Sequence, residues 1–239
     1  MQERLQKIIS SSGLMSRRSA EKCISDCRVT VNGVTASIGD KADPEHDDIR
    51  IDGNPVAPQD KLVYVLLNKP KGYVTTMSDE KGRRNVSQLV EGVGVRIYPV
   101  GRLDINSEGL LIMTNDGAFA NQMMHPSGNV LKTYRVRVGG EDLDRSLAKL
   151  SEPILLDGVS VTAKKISVLK REMNEAVLDI TIGEGRNRQI RRMCDYAGLY
   201  VKRLCRIQEG SLSLGALKSG EWRYLTEAEV LTLSGGEAR

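Results

Sequence analysis

With 239 residues, 40% of them apolar, and a formal charge of only +4, the chain is long enough to bury a core and too weakly charged for wholesale disorder. Its longest aliphatic and aromatic run, Val63 to Leu67, falls far short of the ~20 residues needed to cross a bilayer, and the charged N-terminus lacks the apolar stretch of a secretory signal. Four dispersed cysteines fit reduced thiols in a cytoplasmic protein, and with only His46 and His125 no metal-ligand spacing can be assembled.

The first elements in the chain are two short helices. Leu5, Ile8 and Ile9 recur at helical spacing, Ser11-Ser12-Gly13 breaks the chain, and Ser16 caps a second helix running through Ile24. Arg28 to Val34 forms a strand entering an Asn32-Gly33 hairpin turn, and Asp48 to Asn54 repeats the device at Asp52-Gly53. These pieces make an ααβ unit of about sixty residues. Asn54 to Asp60, with Pro55 and Pro58 and no periodicity, is the expected linker. Beyond it, strands are expected at 62–67, 109–114, 133–138, 159–167 and 176–182, and helices at 116–124, 142–150 and 187–197. The fold class is therefore α+β, with domains over 1–60 and 61–239.

Charge is distributed unevenly. From Met1 to Thr30 six cations face three acids, from Asp40 to Asp60 seven acids face Lys41 and Arg50, and from Gly183 to Arg206 seven cations face Glu184 and Asp195. Two separate basic surfaces suit a polyanion held at two places, although either block alone is more simply a solvated helix face. Between them lie two motifs. Leu67-Asn-Lys-Pro-Lys-Gly-Tyr73 ends a strand in a turn that puts Lys69 and Lys71 where a phosphate backbone can pass; an ordinary polar turn has the same look. Gly101 and Gly109 bracket a loop carrying Arg102, Asp104, Asn106, Ser107 and Glu108 between apolar segments. Asp104 beside Arg102 can remain ionised in a desolvated cleft and act as a nucleophile, or the two can be a surface pair of no consequence. Glu108 is the rival carboxylate but reads as a loop charge, and Asp116 as a turn former.

Gly101-Arg-Leu-Asp-Ile-Asn-Ser-Glu-Gly-Leu-Leu111 resembles the catalytic motif of the RsuA/RluB-type pseudouridine synthases, bacterial enzymes that isomerise uridine in ribosomal RNA. Leu67 to Tyr73 is similar to the first motif of that family, Lys132-Thr-Tyr134 to the segment supplying its stacking tyrosine, and Gly185 to Met193 to its third motif. The first sixty residues resemble the S4 RNA-binding module that many members carry, and the resemblance spans nearly the whole chain in the family's order. It implies a mixed, mostly antiparallel central sheet flanked by helices. It also implies that Asp104 is the essential carboxylate, Arg102 the residue that displaces the target base or fills its place, and Tyr134 the ring packed on the uracil. Arg191 is then the cation paired with a largely buried Asp104, and Leu204 an apolar pocket wall. Attack on C6, attack on C1′ and removal of the C2′ proton are all open to that carboxylate.

RNA contacts are expected from Arg17, Arg18, Lys22 and Arg28 in the N-terminal unit and from Lys69, Lys71, Arg186, Arg188 and Arg192 in the catalytic one; Arg186, Arg188 and Arg192 can equally serve framework acids. The expected partner is ribosomal RNA or a ribosome-assembly intermediate, bound by a monomer without metal or cofactor, since the isomerisation includes no redox or group-transfer step. The version of the third motif at Arg186 to Met193 is closer to members acting on large-subunit rRNA. Small-subunit rRNA, a non-catalytic ribosome-assembly role and a carboxylate-based glycosidic hydrolase are the competing readings, the last requiring a second acid such as Glu108.

Overall fold

The structure is a computed structural model that describes residues 1–59, 61–125 and 128–236. Asp60, the end of the expected linker, and Pro126, of an expected His125-Pro126 helix-ending turn, lie outside the described residues. The chain divides into two compact units, one formed by Met1–Val63 with Val93–Ile97 and Thr114–Gly117, the other by the remaining residues from Tyr64 onward.

In the first unit β1 (Glu3–Arg4) leads into α1 (Leu5–Ser11) and α2 (Arg17–Ser25), followed by β2 (Val29–Val31), β3 (Val34–Thr35), β4 (Lys41–Ala42), β5 (Ile49–Ile51) and β6 (Asn54–Pro55). Ser16 caps α2 by accepting from the Ser19 amide at 3.1 Å, satisfying a donor that the helix itself leaves unpaired. Asn32-Gly33 and Asp52-Gly53 both have positive φ at the two turn residues, the backbone twist that a two-residue hairpin requires. A sheet in the order β3-β2-β5-β6 closes over a core of Leu5, Ile8, Ile9, Ile24, Val29, Ile49 and Ile51, each aliphatic side chain contributing roughly 1.5–3 kcal/mol by burial. One correction falls here. Asn54 and Pro55 are not linker: they form β6, paired with Ile51 and Arg50, because the Asp52-Gly53 turn folds them straight back.

The second unit runs through β7 (Tyr64–Lys69), β8 (Tyr98–Pro99), β9 (Glu108–Thr114), α3 (Gly117–Met124), β10 (Lys132–Gly139), α4 (Leu143–Leu150), β11 (Ile154–Leu156) and β12 (Val159–Val161). It continues with β13 (Lys165–Arg171), β14 (Glu175–Ile182), α5 (Gln189–Tyr196), β15 (Tyr200–Glu209), β16 (Leu212–Ser213), β17 (Trp222–Tyr224) and α6 (Glu227–Leu233). Its sheet has the order β13-β14-β10-β15-β9-β7-β17, with β8 added to β9 and β16 to β15. The pairs from β13 through β15 are antiparallel, whereas β15 meets β9 in parallel at Cys205 opposite Glu108 and Arg206 opposite Gly109. The unit is thus α+β with a mixed, mostly antiparallel sheet, as the resemblance implies.

Residue patterns explain the layering. Strands β7 and β9 are nearly continuous apolar runs because almost every one of their side chains is buried, which is the signature of strands covered on both faces. Strand β10 alternates instead: Tyr134, Val136 and Val138 face inward, while Arg135 and Arg137 face out and pair with Asp179 and Glu175 on β14. The expected single strand over 159–167 is two, ending at Val161 and resuming at Lys165. Strand β15, the longest in the protein among the described residues, was not anticipated. Its cations hide the alternation: Lys202 and Arg203 are outside on Glu175 and Glu108, and Arg206 is inside against Glu209.

Gly109 marks the tightest approach in this sheet. It has φ +104°, and a Cβ there would lie inside van der Waals contact of the Arg206 carbonyl oxygen and 2.7 Å from the Arg206 nitrogen. Gly109→Ala therefore combines a forbidden backbone angle with an immovable backbone neighbour. The substitution is expected to cost about 3 kcal/mol or more in urea unfolding; a loss below about 1 kcal/mol would show that β9 and β15 can separate.

Candidate active site

Strand β7 carries the chain from the buried sequence Val65-Leu66-Leu67 directly to Lys69, so the lysine ends inside the protein, with none of its surface exposed. Its ammonium donates to three carbonyl oxygens: Ser107 at 2.9 Å, Pro70 at 3.1 Å and Asp104 at 3.2 Å. Burial pulls its pKa down from 10.5 to about 8, against the attraction of Asp104 and then Glu108.

The loop those bonds reach is held at every residue. Thr75 Oγ1 donates to the Leu103 carbonyl at 2.7 Å and accepts from the Leu103 amide at 3.2 Å. The Gly72 amide donates to Ile105 O at 2.7 Å, and Arg191 Nη2 donates to Asn106 O at 2.7 Å. With Lys69 on Asp104 and Ser107, five consecutive carbonyls from 103 to 107 each accept from a defined donor. Such a backbone cannot rearrange cheaply, so the Asp104 side chain is presented from a preorganised base.

The carboxylate itself is 31% exposed, and the cation in ion-pair range is Arg188, whose Nη1 lies 3.9 Å from Oδ2. Arg188 adopts the left-handed conformation, φ 49° and ψ 31°, immediately before α5. A non-glycine residue in that region carries backbone strain, which the following helix enforces. Arg191, one turn into α5, is turned instead to the loop backbone; burial first, and Arg188 second, lower its pKa against the pull of Asp104. Its Nε has no hydrogen-bond partner among the described residues.

Tyr134 stands on β10 opposite Arg206, and Leu204 faces Val136 two pairs further along, so ring and aliphatic side chain share the inward face. Burial raises the Tyr134 phenol above its ordinary pKa and keeps it neutral. Glu108 opens β9 in an ion pair with Arg203, 2.8 Å from Nη2. A carboxyl group beside a guanidinium, on a hydrogen-bonded loop of the same unit as a buried neutral ring, suits attack on, or proton removal from, a flat substrate held against that ring.

Several sequence expectations change here. Lys69 is no phosphate ligand: it is sealed inside and spent on carbonyls. Asp104 is not largely buried, and its near cation is Arg188, not Arg191, because Arg191 is bound to Asn106 O. Arg102 is exposed and makes no ion pair among the described residues. Glu108 is a strand residue rather than a loop charge. Arg192 serves a framework acid, Asp157, at 2.7 Å, and Arg186 lies 3.8 Å from Glu184. Lys71 is exposed, as are Arg17, Arg18 and Lys22 on α2, whereas Arg28 is engaged by Asp52. Thr75 and Glu209 were not named, and Arg206 and Lys132 only as members of a basic block and of a motif, not as site residues. For Lys69 the available signal was the unbroken apolar strand before it; Thr75, an unremarkable threonine in a polar stretch, offered none. The ligand atoms that converge among the described residues are those of Asp43, Glu45 and His46, and Asp43 is already held by the terminal ammonium of Met1 at 2.7 Å. No described helix is long and apolar enough to cross a membrane.

The sequence pattern of RNA pseudouridylate synthases matches residues 63–196, and that of the S4 domain matches residues 3–49. The chain is 42% identical over 234 residues to the ribosomal large subunit pseudouridine synthase B of Bacillus subtilis (strain 168), covering 97% of this chain and 95% of that protein. It is 37% identical over 232 residues to the dual-specificity RNA pseudouridine synthase RluF of Escherichia coli O6:H1, covering 96% and 78%. A crystal structure of a pseudouridylate synthase superposes with a TM-score of 0.66 at 29% identity, covering 96% of this chain and 99% of that one.

The buried ammonium gives a stability test. Below pH 8 Lys69 is charged in both the folded and unfolded chain, and the cost of burying that charge is constant. Between pH 8 and about 10.5 the unfolded chain binds the proton more tightly, so this residue's contribution to stability rises with pH. Lys69→Met, which also strands the carbonyls of 70, 104 and 107, is expected to lower stability by about 3 kcal/mol at pH 7.5. The gap between wild type and variant should widen by an amount on the order of 3 kcal/mol by pH 10. A gap independent of pH in urea titrations would contradict the assignment of that proton to Lys69.

Proposed function

The chain belongs to the RNA pseudouridylate synthase family and carries an S4 domain, and from that premise we propose that it converts one uridine of large-subunit (23S) ribosomal RNA to pseudouridine, with Asp104 as the catalytic carboxylate. The observation that carries the reading is the loop of residues 103 to 107: every carbonyl is engaged, and the acid is the group left free to act. Support for the large-subunit target comes from the Bacillus subtilis relative.

The reaction breaks the C1′–N1 bond, turns the uracil and joins C5 to C1′; the C5 proton leaves and N1 gains one, so atoms balance within one substrate. A base inside folded RNA must first be extruded, which costs a few kcal/mol. Stacking on the Tyr134 face returns roughly 1–3 kcal/mol of that, and Leu204 supplies an apolar wall on the same sheet face. Arg102, exposed beside Asp104 in sequence and free of ion pairs among the described residues, is suited to enter the gap left by the base. Arg188 faces Asp104 across 3.9 Å as its near counter-charge, and Arg191 acts one step back, through the Asn106 carbonyl.

Contacts to phosphate fall to those expected RNA-binding cations that are exposed and have no ion pair among the described residues: Arg17, Arg18 and Lys22 on α2 and Lys71 in the turn after β7. These fix register rather than read bases. Arg186, weakly held by Glu184, joins them. A cytoplasmic monomer acting on rRNA or on an assembling ribosomal subunit is the setting that fits.

Asp104→Asn is expected to abolish turnover while RNA affinity stays within about threefold of wild type; isomerisation by this variant would remove the catalytic role. Mapping pseudouridine in total rRNA from a strain lacking the protein should show one site lost from large-subunit rRNA and restored by wild type but not by Asp104→Asn. Loss from small-subunit rRNA, or no loss, would overturn the target. Replacing Arg17, Arg18 and Lys22 together by Ala should flatten the dependence of log affinity on log salt by about two to three. An unchanged slope would place the phosphate grip elsewhere.

A further inference from the structure

The sheet interior beside Tyr134 contains a charge cluster to which the isomerisation gives no role. Arg206 and Glu209, each only 2% exposed, lie on β15, and Lys132 opens β10 with its Nζ 3.8 Å from Glu209 Oε1. Arg206 Nε donates to the Leu110 carbonyl on β9 at 2.7 Å, and Nη2 faces Glu209 Oε2 at 3.3 Å. Tyr134 stands directly across the β10–β15 pairing from Arg206, both residues are buried, and the guanidinium draws the phenol's pKa down.

Packing alone does not explain an arginine here. Desolvating a guanidinium is expensive, and apolar residues of similar volume often serve buried positions equally well. Neither Arg206 Nη2 nor Glu209 Oε2 makes a well-aligned hydrogen bond among the described residues, so the pair is not optimised as a stabilising contact. What an apolar side chain cannot do is hold three strands with one planar fork of donors. Arg206 reaches β9 through Leu110 and its own strand through Glu209, and it faces Tyr134 across the pairing with β10. Leu110 is six residues after Asp104, on the strand that the Asp104 loop enters.

We propose that Arg206 is a positioning residue for the isomerisation: its guanidinium grips the Tyr134 hydroxyl and the Leu110 carbonyl together, fixing the stacking ring relative to the Asp104 loop, with Glu209 as its counter-charge. This rests on the stacking role given to Tyr134 above. The charged groups that act on the Tyr134 hydroxyl are Arg206 and Glu209 from β15 and Asp104 from the loop. Burial raises its pKa, and Arg206 draws it back down. A merely structural role and a gripping role then move the phenol in opposite directions. If Arg206 only keeps the sheet packed, its removal loosens the site, wets the ring and lets the phenol titrate nearer 10. If it grips the hydroxyl, its removal in a folded protein sends the titration higher.

The experiment uses the full-length protein carrying Arg206→Lys, Arg206→Met, Tyr134→Phe and the Tyr134→Phe/Arg206→Lys pair, with tyrosine ring-carbon NMR and steady-state isomerisation of a 23S rRNA fragment. The Tyr134 resonance, assigned by its absence in Tyr134→Phe, should titrate higher in Arg206→Met than in wild type. Arg206→Lys should lower kcat about tenfold or more with KM moved by less than about threefold. In the Tyr134→Phe background the same substitution should cost less than about twofold, because the link is already cut. Additive losses, or a Tyr134 titration that falls, would overturn the proposal. Should Arg206→Met fail to fold, Tyr134→Phe decides, since it severs the link from the other end by removing one oxygen: an unchanged kcat overturns the proposal. Absence of isomerisation in wild type would sink the functional reading while leaving the titration to judge the Arg206–Tyr134 link.

Discussion

One buried ammonium sets the terms for the rest of the site. Lys69 Nζ makes three bonds to carbonyl oxygens, which uses every hydrogen the charged form has. A neutral amine has only two, so the geometry around Asp104 depends on a proton that burial makes easier to lose. The lysine stays charged because its own strand delivers it to a place where carbonyl dipoles converge, with Asp104 and Glu108 close enough to offset part of the desolvation. The loop's order and the lysine's charge support each other: carbonyls left unpaired would be costly, and so would the ammonium without them.

Around that centre the sheet supplies fixed distances. The parallel contact of β15 with β9 occurs at the first residues of β9, where Gly109 lets the two backbones approach closely. Directly beyond, β10 places Tyr134 opposite Arg206. The loop, the ring and the apolar wall at Leu204 therefore hang from three neighbouring strands, a firmer support than loops would give.

Local signals made much of the fold legible. Ser16 before a helix, the Asn32-Gly33 and Asp52-Gly53 turns, the apolar run of β9 and the alternation of β10 all arise from interactions within a few residues, and each predicts its element. Strand β15 did not announce itself, because its outward cations are neutralised by Glu175 and Glu108, which are distant in sequence. For the site, the motif around Asp104 picks out the acid, while the identity of its partner depends on where along α5 each arginine lies. Arg188, the N-cap, and Arg191, three residues on, are near neighbours on one side of the helix and both reach the loop, the first at Asp104 and the second at the Asn106 carbonyl. Sequence spacing alone cannot choose between them.

The same limit explains the cations as a class. Lys69 and Lys71 are two residues apart and flank one proline, yet one is wholly inside and the other exposed. Arg191, Arg192 and Arg206 belong to a basic block that suggests nucleic acid, and all three are occupied by the protein itself: Asn106 O, Asp157, and the Leu110–Glu209 brace. Charge that is already paired or buried releases few counterions and adds little to the grip on a phosphate backbone. Net charge therefore overstates the RNA-facing surface. Of the cations that the sequence motifs offered to RNA, those left exposed and without an ion pair among the described residues are Arg17, Arg18 and Lys22 in one unit and Arg102 and Lys71 in the other. The division is physical: the interior cations order the loop and the sheet, and the exposed ones keep their charge available at the surface.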